Sequence, residues 1–194
     1  MTRLEATRIV VTLAGKAPIV ASLGHPAYDL FAAGDRPQSF YTWGSMGLAS
    51  SVGVGLALAR AELRVFVVDG DGSLLMNLGS LATIGFLRPA NLVLVVMDNE
   101  AFATTGGQRT PTAAGADLEA AARAMGIAET ETVRTEEELT DAVSRTATSR
   151  APRVIVAKVS ESAPIAKPPL DCVFIKNRFM DAIGARHGST VGGR

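Results

Sequence analysis

Residues Val65–Thr105 read VFVVDGDGSLLMNLGSLATIGFLRPANLVLVVMDNEAFATT, two apolar runs that each end in oxygen-bearing side chains. The first run ends in Gly70-Asp71-Gly72-Ser73 and the second in Asp98-Asn99. Continuous apolar runs of this kind suit strands buried on both faces of a parallel sheet. Asn99 follows Asp71 by 28 positions, room for one crossover helix and one strand, so the two residues belong at neighbouring strand ends. Ligands of open parallel sheets bind at that carboxyl edge. An acid and an amide there suit a hard cation such as Mg²⁺, which takes few protein ligands and completes its shell with phosphate oxygens and water. Glycines let the backbone approach a ligand, and a helix starting behind them presents unpaired N–H groups to phosphate. Gly-Asp-Gly alone is also a frequent turn; the second strand end makes it a site signal. The expectation is a diphosphate cofactor held through its metal.

Outward from this stretch, strands and helices alternate. The pattern predicts helices over Thr2–Leu13, Pro26–Ala33, Met46–Arg60, Leu74–Leu87, Ala116–Met125, Thr135–Thr148 and Val173–Arg186. Strands are predicted over Ile19–Leu23, Ser39–Trp43, Arg64–Asp69, Leu92–Met97, Glu129–Arg134 and Arg153–Val159, with Asn99–Gly115 as a long Gly/Thr/Pro loop. Such alternation implies an α/β three-layer sandwich, a mostly parallel sheet with helices on both faces. Residues 1–160 form the expected cofactor-binding domain. Residues 161–194 form a Pro-rich link and a C-terminal helix that packs on the domain or on a partner, with Gly188–Arg194 expected to be disordered.

The 194 residues suffice for one such domain, and 19 basic against 19 acidic residues leave no net charge to favour nucleic acid or an anionic membrane. No apolar run approaches the ~20 residues of a membrane-spanning helix. One cysteine, Cys172, and two histidines argue against an internal disulfide and against structural zinc. These features lead to the expectation of a cytoplasmic protein.

The motif pair resembles the diphosphate-binding domain of thiamine diphosphate enzymes, whose signature is G-D-G-[S/A] followed by N-N or D-N. Upstream, Gly44-Ser45-Met46-Gly47 and GSMGLASSVGVGLALA are similar to a narrower group, the sulfopyruvate and phosphonopyruvate decarboxylases. Within it the chain resembles the β subunit of sulfopyruvate decarboxylase, in which the two cofactor-binding domains lie on separate short chains. The likeness runs over about Ile19–Val159 and into IKNRFMDAI.

The resemblance implies thiamine diphosphate and Mg²⁺ as cofactors and a 2-oxo acid decarboxylation, with sulfopyruvate as the substrate. Asp71 and Asn99 would be side-chain metal ligands, and Ala101 would add its carbonyl. Gly70, Gly72 and Ser73 would line the diphosphate, Ser73 through backbone N–H and hydroxyl, with Gly24 and Phe102 also beside the cofactor. Gly44 would accept a hydrogen bond from the aminopyrimidine at its carbonyl, Ser45 would lie beside the cofactor, and Met46 would bend it; alone, Met46 reads equally as a core methionine. The glutamate that activates the pyrimidine would come from a pyrimidine-binding α subunit in a heterotetramer or larger assembly. Glu100 sits at the metal end, wrong for that task, and reads as a solvated loop acid.

His25 closes the first strand on the same edge. It reads either as a diphosphate ligand or proton carrier, or as a surface histidine at a helix start. Gln108 and Arg109 suit a sulfonate, phosphonate or carboxylate, in a loop either able to close over substrate or simply mobile. His187 reads as a tail residue. Two departures bear on substrate: the family's G-x-P-S-R-E-L is here Gly24-His25-Pro26-Ala27-Tyr28-Asp29-Leu30, without the arginine, and its Q-P-T is Gln108-Arg109-Thr110. Glu100 also replaces the family's glycine after D-N. Competing readings are a phosphonopyruvate decarboxylase, an acetolactate synthase-like carboligase subunit, and a regulatory nucleotide-binding module of Rossmann type. The last lacks a G-x-G-x-x-G opening a helix, since Gly53 and Gly55 fall inside one.

Overall fold

The computed structural model describes residues 1–185; the expectations for Arg186, His187 and Gly188–Arg194 lie outside them. Six parallel strands form the sheet: β1 (Ile19–Ala21), β2 (Ser39–Tyr41), β3 (Val65–Gly70), β4 (Leu92–Asp98), β7 (Glu129–Val133) and β8 (Arg153–Lys158), in the order β2-β1-β3-β4-β8-β7. The short β5 (Ala101–Phe102) and β6 (Gln108–Arg109) pair separately as an antiparallel hairpin. In register, Val65 pairs with Leu92 and Gly70 with Met97, so the two runs that open the reading are central neighbours. All seven residues of β4 are buried, which is why that run shows no polar alternation.

Odd and even strand positions feed two cores. Ile19, Ala21, Phe66, Val68, Val93, Val95 and Ile155 pack under α1 (Arg3–Ala14), α2 (His25–Ala32), α7 (Glu136–Ser144) and α8 (Cys172–Ala182). Val20, Val65, Val67, Leu94, Val96 and Val154 pack under α3 (Ala49–Ala59), α4 (Asp71–Met76), α5 (Gly79–Leu87) and α6 (Leu118–Ala124). The three-layer α/β sandwich is therefore the observed architecture. Gly53 does not serve a nucleotide: a Cβ there would fall 2.1 Å from Val67 Cγ2, so it brings α3 against β3. No helix among the described residues is long and apolar enough to cross a membrane.

Three elements differ from expectation. The helix predicted from Met46 starts at Ala49, because Ser45 and Gly47 take φ of 61° and 87°, outside the helical region. Leu74–Leu87 is two helices that break at Asn77, whose side-chain amide donates to Gly47 O and Ser51 Oγ. The first of them starts earlier, at Asp71. The 99–115 loop contains the β5–β6 hairpin and a 3₁₀ turn over Pro111–Ala114. The C-terminal segment stays on the body: α8 buries Ile175 and Phe179, the Phe179 and Phe40 rings meet tilted with centroids 5.2 Å apart, and Trp43 Nε1 donates to Pro169 O.

Candidate functional site at the sheet edge

The chain leaves β1 for β2 on one side and builds β3 and β4 on the other, so the sheet's order reverses between β1 and β3. A crevice outside the strand ends is expected there. A cleft occupies that place. Ser22 and His25 reach it from the end of β1, Gly70–Ser73 from β3, Asn99 from β4, Ala101–Thr105 from the hairpin, and Met46 from the Gly-Ser-Met-Gly loop.

Asp71 is buried and firmly held. Thr110 Oγ1 donates to its Oδ2 at 2.5 Å, and Thr112 Oγ1 lies 3.0 Å from the same oxygen. Thr112 also stands 2.9 Å from Asp98 Oδ1, and Asp98 Oδ2 pairs with Lys158 Nζ at 2.7 Å. Burial pushes the Asp71 carboxyl above its ordinary range; the threonine hydroxyls oppose this and the Asp98 charge adds to it. Such a carboxylate gains from a cation at its free side.

Gly72 carries the hairpin: a Cβ there would meet the Phe102 ring at 2.3 Å. The Ser73 hydroxyl lies 3.0 Å from Ser22 Oγ and accepts the Gly47 N–H at 3.0 Å. It ties the Gly-Ser-Met-Gly loop to the Gly-Asp-Gly-Ser turn and is already engaged within the protein. Asn99, half-buried, donates its amide to Glu161 Oε1. Glu161 is gripped by Arg3 Nη1 at 2.8 Å, and the buried Arg3 also pairs with Asp29. His25 opens α2 with its side chain 16% exposed, Nδ1 lying 3.7 Å from Glu161 Oε2 and having no hydrogen-bond partner. Burial, seconded by the Arg3 charge, lowers the His25 pKa against the pull of Glu161 and Asp29, which favours neutral imidazole.

Residues 26–157 match the family described as thiamine pyrophosphate enzyme, C-terminal TPP-binding domain. The chain belongs to that family. It is 43% identical to sulfopyruvate decarboxylase subunit beta of Methanocaldococcus jannaschii, over 91% of this chain and 93% of that one. It is 37% identical to a phosphonopyruvate decarboxylase of Streptomyces hygroscopicus, over 93% of this chain and 45% of that one. In fold it is similar to a putative thiamin diphosphate-dependent enzyme isolated from Mycobacterium smegmatis, with a TM-score of 0.72 at 23% identity, over 84% of this chain and 32% of that one.

The residues present fit the cofactor of a TPP-binding domain. Asp71 and Asn99 end adjacent strands in one cleft, and no cluster of three acidic, histidine or cysteine side chains among the described residues could hold a metal alone. Two protein side chains with phosphate oxygens make a normal Mg²⁺ shell. Gly70 lines the cleft, and a Cβ there would come no nearer than 4.0 Å to another residue, Pro26 Cγ; His25 lines the same cleft.

Other expected residues fall elsewhere. Gly44 and Ser45 are exposed and do not line the cleft; Met46 does. Gly24 is buried at φ 73°, where a Cβ would meet Thr104 Oγ1 at 2.4 Å, so it supports the hairpin and not the cleft wall. Gln108 and Arg109 are exposed on β6 and do not reach the cleft within this chain; Arg109 donates to Ala113 O. Ala101 and Phe102 on the partner strand are half-buried and line the cleft. Glu100 is exposed and paired with Lys158 at 2.8 Å, and its φ of 62° explains why the family pattern has glycine there.

Sequence reading passed over Arg3, Ser22, Thr110, Thr112 and Glu161. Arg3 and Glu161 lie 158 positions apart, and no local pattern marks them. Thr110 and Thr112 do carry a signal, being threonines that flank a proline directly behind the Gly-Gly-Gln-Arg turn.

Proposed function

We propose that this chain is the cofactor-holding subunit of a heteromeric thiamine diphosphate- and Mg²⁺-dependent decarboxylase acting on sulfopyruvate. The observation that carries the reading is Asp71 and Asn99 at adjacent strand ends in one cleft, in a chain alike over nine-tenths of its length to a sulfopyruvate decarboxylase β subunit. The dinucleotide-binding alternative has no support, since the family match covers the motif strands.

Bound thiamine diphosphate supplies the electron sink for the pair released when carbon dioxide leaves a 2-oxo acid. Asp71, Asn99 and the Ala101 carbonyl would hold the cation, and the Gly72 and Ser73 backbone would take the diphosphate. Met46, which lines the same cleft, would support the cofactor. His25, kept neutral by burial, lines the cleft and would accept or carry a proton on its imidazole there. The acids at the cleft are Asp71, on its wall, and Glu161, bonded to Asn99, both at the metal end. The activating glutamate therefore comes from a pyrimidine-binding α subunit.

Two observations support that partner. The relative is named a β subunit, and the helices α3 (ASSVGVGLALA) and α5 (GSLATIGFL) contain no charged residue. Their outer faces expose Val52, Leu58 and Phe86, the last at 85%, beginning beside Met46 at the cleft. Such a surface suits burial against a subunit that closes the site. The test is aldehyde release from sulfopyruvate by the chain co-expressed with its α subunit, with phosphonopyruvate as competitor. Turnover of sulfopyruvate by the pair, and none by the chain alone, is expected. Turnover by the chain alone, or preference for phosphonopyruvate, would contradict the reading.

A further inference from the structure

The two candidate ligand-bearing strand ends are joined by hydroxyls that belong to neither motif. Thr110 and Thr112 are 2% and 6% exposed, held inside by the 3₁₀ turn Pro111–Ala114. Thr110 Oγ1 reaches Asp71 Oδ2 at 2.5 Å and Thr112 Oγ1 at 2.9 Å. Thr112 Oγ1 stands 3.0 Å from Asp71 Oδ2 and 2.9 Å from Asp98 Oδ1. Each hydroxyl has one proton to give. With Thr110 committed to Asp71, the Thr112 proton serves either the carboxylate closing β3 or the one closing β4. Asp98 in turn is fastened to Lys158 at the end of β8. The line Asp71–Thr112–Asp98–Lys158 therefore spans three adjacent strand ends and sets how far Asp71 stands from Asn99, the residue after Asp98.

We infer that Thr110 and Thr112 are positioning residues for the cation site: their hydroxyls occupy Asp71 Oδ2, leave the other carboxylate oxygen to the cation, and hold the Asp71 and Asn99 strand ends at a fixed separation. This rests on Asp71 and Asn99 being the cation's ligands. Groups that orient a metal ligand commonly affect metal affinity almost as much as ligands do. Because the Thr112 proton can serve either carboxylate, the same hydroxyl would satisfy the site with and without a cation.

The experiment measures Mn²⁺ binding, in the presence of thiamine diphosphate, by electron paramagnetic resonance of free Mn²⁺, on the full chain assembled with its partner subunit. Thr110→Val and Thr112→Val remove a hydroxyl at nearly constant volume; Thr110→Ser and Thr112→Ser keep it. The valine variants are expected to raise the Mn²⁺ Kd by about 10–100-fold and the serine variants to restore it to within about threefold. Wild-type affinity in both valine variants, whatever their Tm, overturns the inference. So does an equal loss in valine and serine variants, which would assign the threonine methyls a packing role only. Absence of Mn²⁺ binding by the wild-type assembly would instead overturn the cofactor reading, and the inference with it.

Discussion

Gly72 has no room for a side chain, because the Phe102 ring stands where its Cβ would be, at 2.3 Å. Gly72→Ala should cost about 1–3 kcal/mol through overpacking and push the hairpin off the Gly-Asp-Gly-Ser turn. Chemical denaturation of Gly72→Ala with and without Phe102→Ala checks this: the second substitution should return part of the loss, and simple additivity would contradict the contact. Asn99→Ala should weaken metal-dependent cofactor binding less than loss of Asp71 does, since Asn99 is half-buried and Asp71 almost wholly so. Titration of Mg²⁺ into the thiamine diphosphate-saturated variants orders the two. At this scale the motif residues are legible because strand ends fix where Asp71 and Asn99 lie. Glu161 and Arg3 are not, since only the completed fold brings them to Asn99.

Among the elements, α8 is held by a polar anchor beside its apolar contacts. Arg178 holds Asp35 with two bonds of 2.6 and 2.9 Å, and Tyr41 donates to Asp35 at 2.6 Å. Partial burial opposes ionisation of Asp35, yet these hydrogen bonds hold its carboxyl below the ordinary value of 3.8. A carboxylate with a lowered folded pKa stabilises the fold above its unfolded pKa and loses that contribution as pH falls through the folded one. The contribution should therefore be constant near neutrality, begin to fall at about pH 4 and vanish only below the folded pKa. Asp35→Asn should cost about 1 kcal/mol at pH 7 and progressively less as pH falls below about 4. A pH series of Tm values compares the two proteins, and an unchanging difference would contradict the anchor. The helix boundaries show where the pattern misleads: apolar spacing runs unbroken through Met46 and Asn77, while backbone at φ 61° and 87° and the Asn77 side chain's bonds to the neighbouring loop decide the real ends. Apolar spacing carries no record of either.

For the whole molecule, the parallel sheet and its layers are legible from strand and helix alternation, because a strand buried on both faces leaves an apolar run. The strand order, with β8 between β4 and β7, is not contained in any local pattern. The uncharged outer faces of α3 and α5 predict how assembly fails. Phe86→Glu, at a side chain 85% exposed, should leave the chain's own Tm nearly unchanged, as surface substitutions do to within about 0.5 kcal/mol. It should abolish co-elution with the α subunit in size-exclusion chromatography; intact co-elution would move the interface elsewhere. The central claim, a thiamine diphosphate site whose metal end is built by this chain, is tested most directly by thermal stability with thiamine diphosphate, comparing Mg²⁺ with chelator in wild type and Asp71→Ala, each assembled with its partner. At a hundredfold excess over Kd, binding should add about 2.7 kcal/mol, a Tm rise of about 5 °C or more, in wild type with Mg²⁺ and in neither protein with chelator. An equal rise in Asp71→Ala, or a rise without metal, would contradict the account.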